Sequence, residues 1–338
     1  MSIRKTLGLS VVAAGALALV GGAALAQGDY PTRPIEISVW ASAGGATDMT
    51  NRFLAEALEQ EFGGKVNVVN RTGGGGGVAM NHVWSQPHDG YSILGASEAM
   101  QVVKVLGYHP TGTADWRWYI AAGAPGVLSV RADSPYQTLD EFVAAAKANP
   151  NSVKIGHCAI GCVWHMKALA LGLGADAAFN YVPFEGSAPA QVAALTGEVD
   201  GVVSGVSEQA EFIKAGKFRP LGMIEMDAYD FPGKGTIPAA GATYPGIQAI
   251  PARQWLGMAV PKDTPPEVIA KLDAAFEKAM EHPKLKSMQD DRQLPLIGVY
   301  GDEAEEILQS MENTMSWKLF ELGVAETDPA TLGIPKPE

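Results

Sequence analysis

The densest reactive chemistry in the chain lies in nine residues, His157-Cys158-Ala159-Ile160-Gly161-Cys162-Val163-Trp164-His165. Two thiols and two imidazoles are suitable ligand types for zinc, but four ligands drawn from one strand-to-helix corner converge poorly on a tetrahedron. A disulfide between Cys158 and Cys162 suits an oxidising compartment, provided the backbone brings the two Cα atoms within about 7 Å. In a third reading both thiols are reduced and buried, and His165 is a helix histidine satisfied by its neighbours. All three leave the loop amides free to face a ligand.

A second stretch, Ser38 to Leu58 (SVWASAGGATDMTNRFLAEAL), reads as strand, small-residue loop and helix. Backbone N–H groups and the helix dipole at such a junction favour an anion. Nucleotide phosphate is a poor candidate: Ala43-Gly44-Gly45-Ala46-Thr47 fits neither G-x-G-x-x-G nor G-x-x-x-x-G-K-[ST], and the glycines Gly73 to Gly77 lack a phosphate lysine. A carboxylate fits the loop equally well. The glycine run reads alternatively as a mobile or tightly turned connection. A secreted hydrolase is the competing class, and the lack of any G-x-S-x-G, H-E-x-x-H or calcium-loop motif argues against it. Asp115-Trp116-Arg117-Trp118-Tyr119 reads as core edge or as an aromatic platform. Arg71, Arg131 and Arg253 are the cations to place relative to a cleft.

The elements that must position these groups alternate between strand and helix, the pattern of an α/β fold with mostly parallel strands. Ile35 to Val39 is a strand, and Met49, Phe53, Leu54, Ala57 and Leu58 recur at helical spacing behind it. Val66 to Val69, Tyr91 to Leu94, Val153 to Gly156 and Val199 to Ser204 read as further strands. Thr138 with Glu141 and Thr264 with Glu267 read as capping boxes, and Ser187 as the cap of a helix ending near Gly197. No long linker separates two autonomous halves, so the chain is expected to enter its domains more than once.

Arg4 and Lys5, an apolar run from Leu7 to Leu25 and the Ala24-Leu25-Ala26 signal read as a secretory signal peptide over residues 1–26, cleaved after Ala26. Removing those two cations takes the net charge from −12 to −14, which argues against nucleic acid and anionic membranes as partners. An anionic ligand must then be held by local donors against the mean field.

Tyr30-Pro31-Thr32-Arg33-Pro34-Ile35, Ala43-Gly44-Gly45-Ala46-Thr47-Asp48, Asn70-Arg71-Thr72-Gly73, Asp89-Gly90-Tyr91, Phe184-Glu185-Gly186-Ser187-Ala188-Pro189, Gly197-Glu198-Val199-Asp200 and Ile213-Lys214-Ala215-Gly216-Lys217-Phe218-Arg219 succeed one another along the chain. In that order they resemble the substrate-binding proteins of tripartite tricarboxylate transporters, the Bug family. Arg131-Ala132-Asp133-Ser134-Pro135, Phe184-Glu185-Gly186 and Ser204-Gly205 with Ser207-Glu208 look most like its tricarboxylate-binding branch. The resemblance implies a type II-like periplasmic binding protein fold: two Rossmann-like α/β lobes on a hinge, residues 27–127 with 229–338 forming the first and 128–228 the second. It implies a periplasmic monomer that takes a small di- or tricarboxylate between the lobes and passes it to membrane transporter subunits, with no catalysis, cofactor or metal. Monocarboxylates and aromatic acids are the alternative ligands. Carried over by position, Ser42, Ala43, Gly44, Gly45, Thr47 and Asp48 clamp the ligand from the first lobe. Gly161, Cys162, Gly186, Ser187 and Ser204 do so from the second, and Trp255 stands near the lobe interface. Trp40-Ala41 departs from the family's usual Pro-Phe, and Cys162 sits where serine or threonine is common; a thiol is the weaker donor.

Overall fold

The structure, a computed structural model, describes residues 30–337. The expected signal peptide and its cleavage point after Ala26 lie outside the described residues.

Two sheets organise the chain. Strand β1 (Ile35–Val39) buries Ile35, Ile37 and Val39 completely and runs into helix α1 (Ala46–Phe62), which ends on the left-handed Gly63. Strand β2 (Val66–Asn70) pairs parallel to β1, with Ile35 opposite Val66. Helix α2 (Gly77–Trp84) leads to β3 (Ser92–Ser97), parallel to the other side of β1. After β4 (Trp116–Ala122) the chain crosses at residues 123–125 to a second sheet.

That sheet begins with β5 (Gly126–Arg131) and continues through α3 (Leu139–Ala148), β6 (Lys154–His157), α4 (Val163–Ala175), β7 (Asn180–Pro183), α5 (Ser187–Thr196), β8 (Gly201–Gly205), α6 (Val206–Lys214) and β9 (Phe218–Met223). Its strand order is β7-β6-β8-β5-β9, with β6 parallel to both neighbours and β5 antiparallel to both of its own. The hairpin β10 (Tyr229–Phe231) and β11 (Gly235–Ile237) and the short helix α7 (Ala240–Thr243) follow. They stay beside this second sheet: Met223 N–H donates to Pro238 O at 2.8 Å, and Gly241 N–H to Glu225 O at 3.0 Å.

The chain returns through residues 251–255 to β12 (Leu256–Pro261), which inserts antiparallel between β4 and β3. Helices α8 (Pro266–Met280) and α9 (Pro283–Arg292), strand β13 (Leu296–Tyr300) and helix α10 (Gly301–Glu321) complete a six-stranded first sheet of order β13-β4-β12-β3-β1-β2. Strand pairing thus puts β5 in the second sheet from Gly126 and keeps residues 229–250 on that side, whereas the expected division counted 229–250 with the first lobe. An apolar core cluster is continuous from Trp40 and Met100 to Cys162 and Trp164, so the two halves touch beside the crossings.

Local chemistry explains where the elements start. The Thr138 box forms, Glu141 N–H donating to Thr138 Oγ1 at 3.2 Å. The Thr264 box does not: Pro265 takes the cap position, Glu267 falls second in the helix instead of third, and the Thr264 hydroxyl is buried without a partner. Ser187 is likewise the first helical residue of α5, with Gly186 as the cap. The glycine run is packed rather than a free connection. A Cβ on Gly77 would stand 2.5 Å from the Tyr108 carbonyl oxygen, and one on Gly76 2.2 Å from Met100 Cε. Trp116 and Trp118 are core, their indoles donating to Thr111 Oγ1 and the Thr113 carbonyl at 2.9 and 2.8 Å.

Candidate functional site

Four helices point their N-termini at one place between the sheets. Gly45, Ala46 and Thr47 bring the start of α1 from the first sheet; Trp164 brings that of α4, Gly186 and Ser187 that of α5, and Glu208 that of α6. Together with Trp40, Ser97, Glu98 and Cys158 they enclose a cavity of about 10 Å³. That is room for about one water molecule and none for a di- or tricarboxylate, so the two halves are closed on one another here.

The closure is specific. Ser42 N–H donates to Glu185 O across the cleft at 3.1 Å. Gly186, at φ +140°, lets the two loops meet: a Cβ there would stand 2.6 Å from Ser42 Oγ. Gly161, at φ +84°, plays the same part against the first lobe, where a Cβ would meet Leu106 and Val102 at 2.7 and 2.8 Å.

Each half also sends a carboxylate to a helix start of the other. Glu208 Oε1 accepts Ala46 N–H at 3.1 Å, and its Oε2 accepts Gly205 N–H at 2.8 Å. Glu98, buried at 2% exposure behind β3, accepts Val163 N–H at 3.2 Å through Oε1 and leaves Oε2 without a partner. Burial pushes the Glu98 carboxyl up to about 8, the charge of Glu208 adding to the effect against the Val163 N–H. Burial also raises Glu208, opposed by hydrogen bonds from Gly205, Ala46, Ser187 and Trp164. No lysine or arginine lines the cavity. The donors it offers an anion are oriented peptide N–H groups and neutral polar side chains.

The residues expected from sequence fall into three groups. Gly45, Thr47, Gly186 and Ser187 line the cavity, with Ser42 and Gly161 in the contacts that close it. Asp48 braces the first loop: burial opposes its charge, but Arg52, the Gly44 N–H and Asn70 overcome it and hold the carboxyl below its usual range. Ala43 and Gly44 complete that loop, and Gly44 takes φ +84°. Ser204 and Trp255 lie deeper. Ser204 Oγ accepts from Gln191 and Gln209 at 3.1 and 2.9 Å, and the Trp255 indole donates to Gln101 at 3.0 Å. Arg71 is held by Glu36 and Ser38, and Arg131 by Asp133.

At the second-lobe corner Cys158 and Cys162 are joined as a disulfide with Cα atoms 6.1 Å apart, which leaves no thiolates for zinc. Among the described residues no group of three or more His, Cys, Asp and Glu side chains could hold a metal ion. His157 and His165 stack at 4.5 Å and stay neutral, burial lowering them to about 4 and about 3, with the charge of His157 a further cause for His165. Sequence reasoning missed Glu98 altogether and took Glu208 as a branch marker. Its signal was available, since Gly205-x-x-Glu208 has the spacing of a capping box and a loop rich in helix starts invites a carboxylate.

Two α/β lobes that meet over a cleft of helix N-termini have the architecture of periplasmic binding proteins. Residues 50–316 match the tripartite tricarboxylate transporter family receptor, and the chain belongs to that family. It is 31% identical over 272 residues to the protein BugT of Bordetella pertussis, spanning 78% of this chain and 82% of that one. In fold it is similar to the periplasmic binding protein BugD, with a TM-score of 0.80 at 22% identity over 88% of this chain and 99% of that one. It is also similar to MatC of Rhodopseudomonas palustris with bound malate, with a TM-score of 0.74 at 22% identity over 85% and 99%. Among the described residues no helix is long and apolar enough to cross a membrane.

Proposed function

We propose that this protein captures a small di- or tricarboxylate in the periplasm, after removal of residues 1–26, and delivers it to the membrane subunits of a tripartite tricarboxylate-type transporter. The observation that carries the reading is the convergence of four helix starts, one from the first lobe and three from the second, on a cavity with no basic side chain. Peptide N–H groups bind carboxylates without the desolvation cost of a lysine, and only closure brings donors of both lobes to one ligand. The malate in MatC, whose fold this chain shares, agrees with that ligand class. We place the hinge at the two crossings, residues 123–125 and 251–255, and read the protein as a monomeric binder with no catalytic role.

Thermal-shift measurements with citrate, malate, adipate, acetate and benzoate test this directly. Stabilisation by members of the first three, without turnover by chromatography, is the expected result. Stabilisation by benzoate or acetate alone would overturn the di- or tricarboxylate assignment, and hydrolysis of ester substrates would overturn the binding-protein reading.

A further inference from the structure

The cleft contains two carboxyl groups of its own and no cation, an arrangement that an incoming carboxylate makes worse. Glu208 places both oxygens against backbone N–H groups, Ala46 at 3.1 Å and Gly205 at 2.8 Å, with further hydrogen bonds from Ser187 and Trp164, all of which favour its charged form against burial. Glu98 differs: Oε1 accepts from Val163, while Oε2 is buried and unpartnered on the wall of the same cavity. A proton on Oε2 removes one charge and turns an orphan acceptor into a donor, the group that a carboxylate or hydroxy acid oxygen lacks among its partners.

We propose that Glu98 is a specificity-determining residue of the ligand site: it enters the closed cleft as the neutral acid and donates from Oε2 to an acceptor oxygen of the bound carboxylate. The proton comes from solvent, so closure on the ligand is linked to proton binding. The proposal rests on the carboxylate-binding reading above and adds the residue that discriminates the ligand's charge.

The surroundings of Glu98 support one charged neighbour. Glu208 faces it across the cleft from α6, and its charge disfavours a second anion. On the second-lobe side, β6 and α4 carry His157 and His165, both neutral. The first-lobe neighbours are Ser97, whose hydroxyl accepts from the Trp40 indole at 3.0 Å and whose hydrogen bond to Glu98 partly opposes the rise of that carboxyl, and the glycines 74–76. Helix α10, packed on residues 98–101, directs its buried Glu312 to Thr113 N–H instead.

The sign follows. A carboxyl whose closed-state value is raised binds its proton more tightly when closed than when solvated, so closure weakens as pH rises toward that value. Malate and citrate are fully ionised above neutral pH, which isolates the protein's contribution. Calorimetric affinities for malate and citrate between pH 7 and 9 are expected to fall by up to about tenfold per pH unit in the native protein. In Glu98→Gln, whose amide keeps a donor without titrating, the same affinities are expected to be flat with pH and retained near their pH 7 value. Glu98→Ala should bind weakly at every pH.

A second measurement needs no ligand. The melting temperature of Glu98→Gln should gain on that of the native protein from pH 5 to pH 8, because the glutamate loses its proton in the unfolded chain while the amide has none to lose. Parallel melting curves for the two proteins would overturn the proposal whatever binds. Malate or citrate binding with identical pH dependence in native and Gln proteins would overturn it while leaving the carboxylate reading intact. Failure of both acids to bind would overturn the carboxylate role, and the melting comparison would still report the proton.

Discussion

Gly186 offers the sharpest test that the cleft works by closing. Its φ of +140° and the 2.6 Å from a prospective Cβ to Ser42 Oγ act on different equilibria. The dihedral, with ψ 175°, belongs to a region few residues but glycine adopt, so an alanine there costs folding about 1–3 kcal/mol. The contact with Ser42 Oγ, backed by Ser42 N at 3.2 Å, exists only when the lobes meet. The hydroxyl can rotate away but Ser42 N moves only with its loop, and overlap of one methyl with such packing costs about 1–3 kcal/mol. That is a loss of roughly fivefold to 150-fold in affinity, at 1.4 kcal/mol per factor of ten. Gly233→Ala is the control for a positive φ with no neighbour: at φ +72°, with nothing within 4 Å of the new Cβ, it should cost folding less than Gly186→Ala and leave affinity alone. Both variants should melt a few degrees low, and only Gly186→Ala should lose calorimetric affinity for a stabilising carboxylate and stay expanded by solution scattering with that ligand at saturation. A folded Gly186→Ala protein with native affinity would refute the claim that the Ser42 and Gly186 loops must touch for the ligand to be held.

Three further outcomes are expected. Mass spectrometry of the unreduced protein should find Cys158 and Cys162 two hydrogen atoms lighter than the dithiol, and replacing both by alanine should cost about 2 kcal/mol for so short a loop, read as a lower denaturant midpoint. Lys167, buried in α4, donates to the Ile224 carbonyl at 2.9 Å and pairs with Glu225 at 2.7 Å, which in turn accepts Gly126 N–H; Lys167→Met should cost about 2–3 kcal/mol and leave ligand affinity less affected than stability. Stopped-flow association of a carboxylate should speed up modestly as salt rises, since salt screens the repulsion of an acidic protein, while dissociation from the closed cleft stays nearly constant; a strong fall in association rate with salt would show a basic funnel instead.

Much of the fold was legible because its signals are local and periodic. Ile35, Ile37 and Val39 announce β1, and the Thr138 box starts α3 where its chemistry requires. The Thr264 box failed because consecutive prolines moved the helix start by one residue, a local effect the spacing rule does not contain. The loop at Gly45 was legible as a helix start suited to an anion, and the one at Gly186 only through the family resemblance. Their mutual contact was not, since nothing in either segment encodes that Ser42 will lie against Gly186 across the cleft. Lobe membership was harder still: residues 229–250 pack beside β9 through the Met223 and Gly241 backbone hydrogen bonds, long-range pairings that no window along the chain displays.

Glu98 escaped for a related reason, and its position explains how an acidic protein can hold an acid. In sequence it is one carboxylate among 37 acidic residues. Only folding buries it at the start of α4, opposite Glu208 and away from any cation. If the cleft used arginine, charge would be balanced at long range as well as at contact, and the protein would attract anions indiscriminately. Peptide N–H groups act over the first turn of each helix and are felt only by a ligand already between the lobes. A protonated Glu98 then adds a donor without adding charge. Affinity in such a site depends on complete closure more than on attraction. Propping the loops apart by Gly186→Ala should therefore weaken binding more than removing any single surface charge outside the cleft.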